Sequence, residues 1–345
     1  MIKPKIQNQD GKELAKGRDA DTLLLFTVYA KQNIAAFLKG GRLIRVFTEG
    51  QGLPVGTVAI AKISEIKAEI NSAFLLLKDK QKAYIPLSEC TAAVNLTHPG
   101  KECKCGDNLL IKIKKEPAKG KLATATASFT EDERAEFSQD IHRTDFSILK
   151  YGENYIFKAL NAVSGEENIR LITDREEIYR ELNSEIEAGK LKLNASEIML
   201  YRDELVKVNV LYGLHAKIEE ALSRKVLLKS GASVVFDYTE AMTVIDVNSG
   251  KSASKKEAKE EFYSINKEAG EEIVRQIVLR NLSGIILIDF INLKDRESRD
   301  ELMTLMKEWI TKYGAGLNVI DYTLLGLMEV TRCKTGKTLF EYFKV

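Results

Sequence analysis

Two apolar runs, TVIDVNSG (243–250) and GIILIDFINL (284–293), enclose a long stretch of helical pattern. No other feature limits the fold as strongly. In SKKEAKEEFYSINKEAGEEIVRQIVLRN (254–281), Phe262, Ile265, Ala269, Ile273 and Ile277 recur at helical spacing and form one apolar stripe. Strand, helix and strand in that order predict parallel strands with a right-handed crossover. The alternation continues. Ser298 to Glu301 reads as a capping box opening a helix with Leu302, Leu305, Met306 and Trp309, which ends at Gly314. LNVIDYT (317–323) reads as a third strand, and VVFDY (234–238) supplies one ahead of the pair.

Each of the two runs carries one acid, Asp246 and Asp289, late in its strand, where α/β sites form. Neighbouring strands lie about 4.8 Å apart. Carboxylates held that close repel each other and lose solvation. A hard divalent cation removes the conflict, and Mg²⁺ favours one or two carboxylates with retained waters and a substrate phosphate. Such an ion activates water and stabilises charge on a phosphodiester. Asn248 shares the face of Asp246 by the period of two and is suited to orienting a ligand. A lone Asp at a strand end is as readily a cap or a loop partner, and the residues alone leave that open. Asp237 and Glu240 read either as support for the pair or as surface charges of a hairpin.

The first half has a different texture. LLLFTVYA (23–30) reads as a strand, and 34–47 as a hairpin around Gly40 and Gly41. After the break at 50–56, residues 55–128 hold five short strands, which suggests a small barrel; the OB-fold is such a module and binds single strands. Ile111 and Ile113 alternate with Lys112 and Lys114, a half-buried strand with a basic outer face. Residues 129–145 read as a helix or connector. Residues 173–189 read as a helix with Ile178, Leu182 and Ile186 on one face, and Ile218 and Leu222 mark another.

Composition excludes several chemistries. Lys plus Arg number 52 and Asp plus Glu 50, so the net charge of +2 makes nucleic-acid binding a matter of local patches. Cys90, Cys103, Cys105 and Cys333 are scattered, and the 103–105 pair is too tight for a zinc hairpin; free thiols of a reducing cytoplasm are expected. His98, His142 and His215 are isolated, which argues against a histidine metal site or a Ser-His-Asp triad. The first residues lack an apolar leader, and no apolar run reaches about 18 residues, so a cytoplasmic protein without a membrane span is expected.

DYTEAMTVIDVNSG followed by GIILIDFI resembles the catalytic part of the ribonuclease E/G family. The flanks KIEEALSRKVLLKSGASVVFDYTEA, KEAGEEIVRQIVLRNLSG and GLMEVTRCKTGKTL carry the likeness over roughly 205–340. SAFLLLKDKQKAYIPLSE and EPAKGKL extend it, more weakly, to 20–128. The resemblance implies a mixed α/β chain of several subdomains. An OB barrel (53–128) is inserted beside an RNase H-like subdomain (1–52 and 173–221). A reduced 5′-sensor-like region (129–172) follows the barrel, and a DNase I-like catalytic subdomain (222–345) closes the chain. It further implies a Mg²⁺-dependent endoribonuclease, with Mn²⁺ able to substitute, that cuts single-stranded RNA in RNA processing or decay and leaves 5′-phosphates. Asp246 and Asp289 then hold the metal, with Asn248 in support. Phe74, Tyr84 and Lys119 then grip RNA from the barrel, although on the residues alone Phe74 reads as a core strand residue and Lys119 as a solvated turn lysine. Arg332 and Lys334 are candidate phosphate contacts, although surface charge is the plainer reading of both.

The chain departs from the family pattern at three places. The second acid of the later strand motif is Asn292, which leaves the metal pair intact. The arginine–threonine pair of the 5′-sensor falls on Lys158 and Ala159, followed by a shorter segment, so a degenerate sensor is expected. The CPxC zinc link has no counterpart at Cys333, so no zinc is expected, and a homodimer, if formed, is one without a zinc bridge. Two other readings fit the same residues: an RNA-binding paralogue or subunit with weak or lost catalysis, and a DNA nuclease with the same metal chemistry. The barrel, as a single-strand grip, speaks against the latter.

Overall fold

The computed structural model describes residues 22–50, 52–91, 94–117, 121–140, 147–187, 195–203, 205–250, 258–291 and 295–343. The chain forms two compact units, one of residues 48–161 and one of residues 1–47 with 162–345.

The larger unit opens with β1 (Thr22–Tyr29), β2 (Gln32–Lys39) and β3 (Arg42–Thr48). Gly40 and Gly41 turn the β2–β3 hairpin at positive φ, as the Gly pair predicts.

The 48–161 unit is built on β4 (Val58–Lys67), β5 (Ser72–Leu76), β6 (Lys82–Pro86), β7 (Asn108–Lys115) and β8 (Ala123–Thr126). Strand β5 pairs with both β4 and β6, β6 runs parallel to β8, and β7 links β8 back to β4. The five strands therefore close on themselves, an OB-like barrel. Period-two alternation sends Ala73, Leu75, Ala83, Ile85, Ile111 and Ile113 inward as one buried cluster. Helix α1 (Glu131–Glu136) carries a capping box of Thr130 and Glu133. The unit continues past residue 128: β9 (Ile148–Lys150) pairs with β4, and α2 (Tyr155–Ala162) buries Tyr155, Ile156, Ala159 and Leu160.

The larger unit resumes with β10 (Ile169–Thr173), α3 (Glu176–Glu187) and β11 (Ala195–Leu200). Its first sheet has the order β11-β10-β1-β2-β3, with β10 parallel to both β1 and β11. Strand β10, most of which falls in the expected sensor-like stretch, is instead the parallel neighbour of β1. Its five residues, IRLIT, are too short a run to show a period by themselves. Helices α4 (Val208–Leu211) and α5 (Leu214–Leu222) follow, with Ile218 and Leu222 buried as their spacing predicts.

The second sheet contains β12 (Lys225–Leu227), β13 (Ser233–Tyr238), β14 (Met242–Asn248), β15 (Gly284–Asp289), β16 (Leu317–Tyr322) and β17 (Met328–Arg332). Helix α6 (Ala258–Arg280) crosses from β14 to β15, α7 (Arg296–Lys312) precedes β16, and α8 (Leu339–Phe343) follows β17. Strand order is β12-β13-β14-β15-β17-β16. Among the described residues of this sheet only β14 and β15 pair in parallel; the other ladders are antiparallel. The expected third parallel neighbour is thus displaced. Strand β17, whose MEVTR alternation is too polar to announce itself, inserts between β15 and β16.

Helix α6 lays Ile265, Ala269, Ile273 and Ile277 on one face of this sheet, against Ile245, Val247, Ile286 and Ile288. Each buried isoleucine contributes about 1.5–3 kcal/mol of transfer free energy. Leu302 and Met306 of α7 complete the layer. At Gly270 a Cβ would stand 2.6 Å from Trp309 Cζ3, so the glycine is what lets α6 and α7 meet. Helix α7 starts three residues before the expected capping box. Asp295 is its N-cap, accepting from the Ser298 amide at 2.9 Å.

Candidate active site

The parallel β14–β15 ladder sets the geometry. Its register runs Thr243↔Ile286, Ile245↔Ile288 and Asp246↔Asp289. Because Ile245, Val247, Ile286, Ile288 and Phe290 are buried against α6, Asp246 and Asp289 point to the opposite, open face of the sheet. They stand side by side at the carboxyl ends of adjacent strands. Burial, and then the charge of Asp246, push the Asp289 carboxyl above the usual carboxylate range.

Asn248 shares that face, and its Nδ2 donates to Asp246 Oδ2 at 2.5 Å. One carboxylate oxygen is thereby fixed and the other left available. The chain then leaves through Gly250, at φ +75°, where a Cβ would lie 2.6 Å from the Gly231 carbonyl. Both conditions admit only glycine.

Two residues near the acids escaped the sequence reading. Asn266, fully buried on α6, donates from Nδ2 to the Ile291 carbonyl at 2.8 Å and accepts from the Ile291 amide at 2.9 Å. This clips the backbone two residues beyond Asp289. A polar residue interrupting the apolar stripe of α6 was its one signal. Arg224 donates to both oxygens of Asp237, at 2.5 and 2.8 Å, and also senses the charge of Asp246. Asp237 is therefore an ion-paired surface acid, and Glu240 is exposed at the tip of the β13–β14 hairpin.

The other expected residues fall as follows. On the barrel, Phe74 and Tyr84 are direct cross-strand partners on β5 and β6. Their neighbours Ala73, Leu75, Ala83 and Ile85 point into the core, so both rings lie on the outer surface. Lys67 Nζ lies 5.3 Å from the Phe74 ring centre. Lys158, on α2, is ion-paired with Glu116 at 3.2 Å, and Ala159 is fully buried. Lys119 and Asn292 lie outside the described residues.

Arg332 and Lys334 are far from the acids. Arg332 pairs in register with Gly284, the first residue of β15, whereas Asp289 is the last. Roughly 17 Å of strand separates the two ends. The Arg332 side chain is buried and donates to the carbonyls of Ala315 and Leu282 and to Asn281 Oδ1, at 2.7–2.8 Å. Its guanidinium ties β17 to the end of α6, and the phosphate-contact expectation for Arg332 gives way to that structural role.

The profile of the Ribonuclease E/G family matches residues 109–335, about two thirds of the chain and inclusive of both aspartates. The chain belongs to the ribonuclease E/G family. Ribonuclease G of Haemophilus influenzae is 31% identical to it over 232 residues, which cover 63% of this chain and 46% of that protein. Ribonuclease G of Escherichia coli K12 is 36% identical over 129 residues, covering 37% and 26%. Ribonuclease E of Synechocystis is 30% identical over 208 residues, covering 59% and 31%. The chain thus matches less than half the length of each of these ribonucleases. Among the described residues no helix is long and apolar enough to cross a membrane.

Proposed function

We propose that this member of the ribonuclease E/G family is an endoribonuclease that cleaves single-stranded RNA with a divalent cation held by Asp246 and Asp289. The register pairing of the two acids carries the reading. Their donor chemistry fits a hard ion: carboxylate oxygens on one open face, with the Asp289 carboxyl raised by burial and by its neighbour's charge. A cation offsets both penalties. When bound, Mg²⁺, or Mn²⁺ in its place, supplies Lewis-acid stabilisation of the charge that develops on a phosphodiester. Asn248 holds the Asp246 carboxylate in one orientation. Asn266 fixes the strand exit that carries Asp289. Phe74 and Tyr84 offer stacking surfaces on the barrel, with Lys119 adding charge, and the products carry 5′-phosphates.

The strand order of the first sheet, three sequential strands followed outward from β1 by two parallel ones, supports an RNase H-like subdomain. The second sheet is read as the DNase I-like catalytic subdomain. With Lys158 engaged by Glu116, little preference for a 5′-monophosphate end is expected.

A labelled, unstructured RNA tests the proposal. Cleavage is expected in Mg²⁺ and not in EDTA. Asp246→Asn and Asp289→Asn should each abolish it while RNA binding stays within a few fold. Cleavage by both variants at the unsubstituted rate refutes the assignment.

A further inference from the structure

At the end of the second sheet remote from the acids lies a cavity of about 530 Å³. The β13–β14 hairpin, the last turn of α6, the residues leading into β15, and α8 enclose it. Its volume suits a small molecule. Apart from Lys334, expected above as a candidate RNA-phosphate contact, its lining plays no part in the cleavage reading.

Its chemistry is set by one arginine. Arg280, on the last turn of α6, is 2% exposed, with its guanidinium carbon 4.0 Å above the Phe236 ring centre. Its Nε donates to Gln276 Oε1 at 2.7 Å and its Nη1 to the Tyr238 phenol oxygen at 2.8 Å. Its Nη2 has no partner among the described residues. A buried guanidinium nitrogen left without an acceptor costs free energy, and such a group points to an ion or water that completes it.

The rest of the lining asks for the same complement. The Tyr238 oxygen accepts from Arg280, so its own proton remains to be donated. The hydroxyls of Thr243 and Ser283 make no hydrogen bond among the described residues, and Lys334 adds an exposed ammonium. Two carboxylates, Glu341 and Glu240, share the lining with the two cations, Arg280 and Lys334. Glu341 accepts from the Thr338 amide at 2.7 Å, and Glu240 is exposed at the hairpin tip. Formal charges therefore balance, and the groups left unengaged around Arg280, its Nη2 and the hydroxyls of Tyr238, Thr243 and Ser283, are donors. A ligand with several acceptor oxygens and negative charge matches that inventory.

We propose that this cavity binds a phosphate group, through Arg280 and Lys334 with Ser283, Thr243 and Tyr238 as further donors. The phosphate is either free or the phosphate of a nucleotide. In the second case Tyr238 and Phe340, whose ring centres are 6.1 Å apart, offer an aromatic wall for the base.

Isothermal titration calorimetry on the full chain, in EDTA so that no metal recruits phosphate to the acids, tests this. Inorganic phosphate and adenosine 5′-monophosphate are titrated separately. Saturable one-site binding of at least one probe is expected. Tighter binding of the nucleotide assigns the wall to a base; equal affinities assign the site to the phosphate alone. Lys334→Ala, an exposed position that the fold does not need, should weaken binding about tenfold, the worth of one charge-assisted hydrogen bond. Asp246→Asn should bind like the unsubstituted chain. No saturable binding of either probe overturns the proposal, as does binding that Asp246→Asn loses and Lys334→Ala keeps. Because the readout is binding without metal, failure here leaves the cleavage assay standing, and the reverse also holds.

Discussion

Asn266 meets Ile291 through both of that residue's backbone groups, imitating a strand neighbour from the interior of a helix. The contact lies two residues beyond Asp289, where β15 has run out of ladder partners. Substitution to alanine leaves a backbone amide and a carbonyl unpaired, at about 1–3 kcal/mol for each buried group. We expect Asn266→Ala to lower the denaturant midpoint, to weaken Mn²⁺ binding measured by paramagnetic resonance, and to reduce kcat more than KM. Unchanged Mn²⁺ affinity would reduce Asn266 to a purely structural role.

Asp289 also gives stability a pH dependence. Its carboxyl is raised in the fold by burial and by Asp246, so the folded chain holds that proton more tightly than the unfolded chain does. Stability from this group is therefore present at low pH and declines as pH rises through the interval above the ordinary carboxylate value. In EDTA at neutral pH, Asp289→Asn should melt slightly higher than the unsubstituted chain, and the difference should vanish in acid. Mg²⁺ at one hundred times the dissociation constant should stabilise the unsubstituted chain by about 2.7 kcal/mol, read as a higher melting temperature, and leave Asp289→Asn unmoved. A Mg²⁺ shift in the variant counts against the metal assignment.

Phe74 and Tyr84 form an outward pair on the barrel. Base stacking contributes about 1–3 kcal/mol per aromatic ring. Phe74→Ala or Tyr84→Ala should weaken binding of short single-stranded RNA by the corresponding factor in fluorescence anisotropy, with little loss of melting temperature. A large loss of stability with intact RNA binding would assign the rings to packing.

Gly270 sits under the Trp309 ring. Gly270→Ala forces the ring or a helix to move, which costs about 1–3 kcal/mol in a packed layer despite the better helix propensity of alanine. Thermal unfolding checks this. A more stable Gly270→Ala would show that the α6–α7 layer is loose.

The parallel pair and its crossover helix were legible because apolar spacing over α6 and two unbroken strands state their geometry without outside help. The barrel was legible from its short strands, but Phe74 reads on sequence alone as a core residue; its place outside follows from the register that sends Ala73 and Leu75 inward. Strand β10 was not legible, because five residues cannot display a period and its partner β1 is distant in sequence. Strand β17 was hidden by its polar half. Arg332 misled because a basic residue near a strand end reads alike whether it faces solvent or a cluster of carbonyls. The Asn266 clip depends on a side chain meeting a remote backbone, which no local pattern announces.

The one parallel seam of the second sheet, β14–β15, ties correct assembly to competence. A slip of a single residue there would turn one acid toward the greasy layer under α6 and strand the other, so a chain mispaired at that seam would be inert as well as unstable. Turnover by this protein would then report on how its central strands were matched during folding.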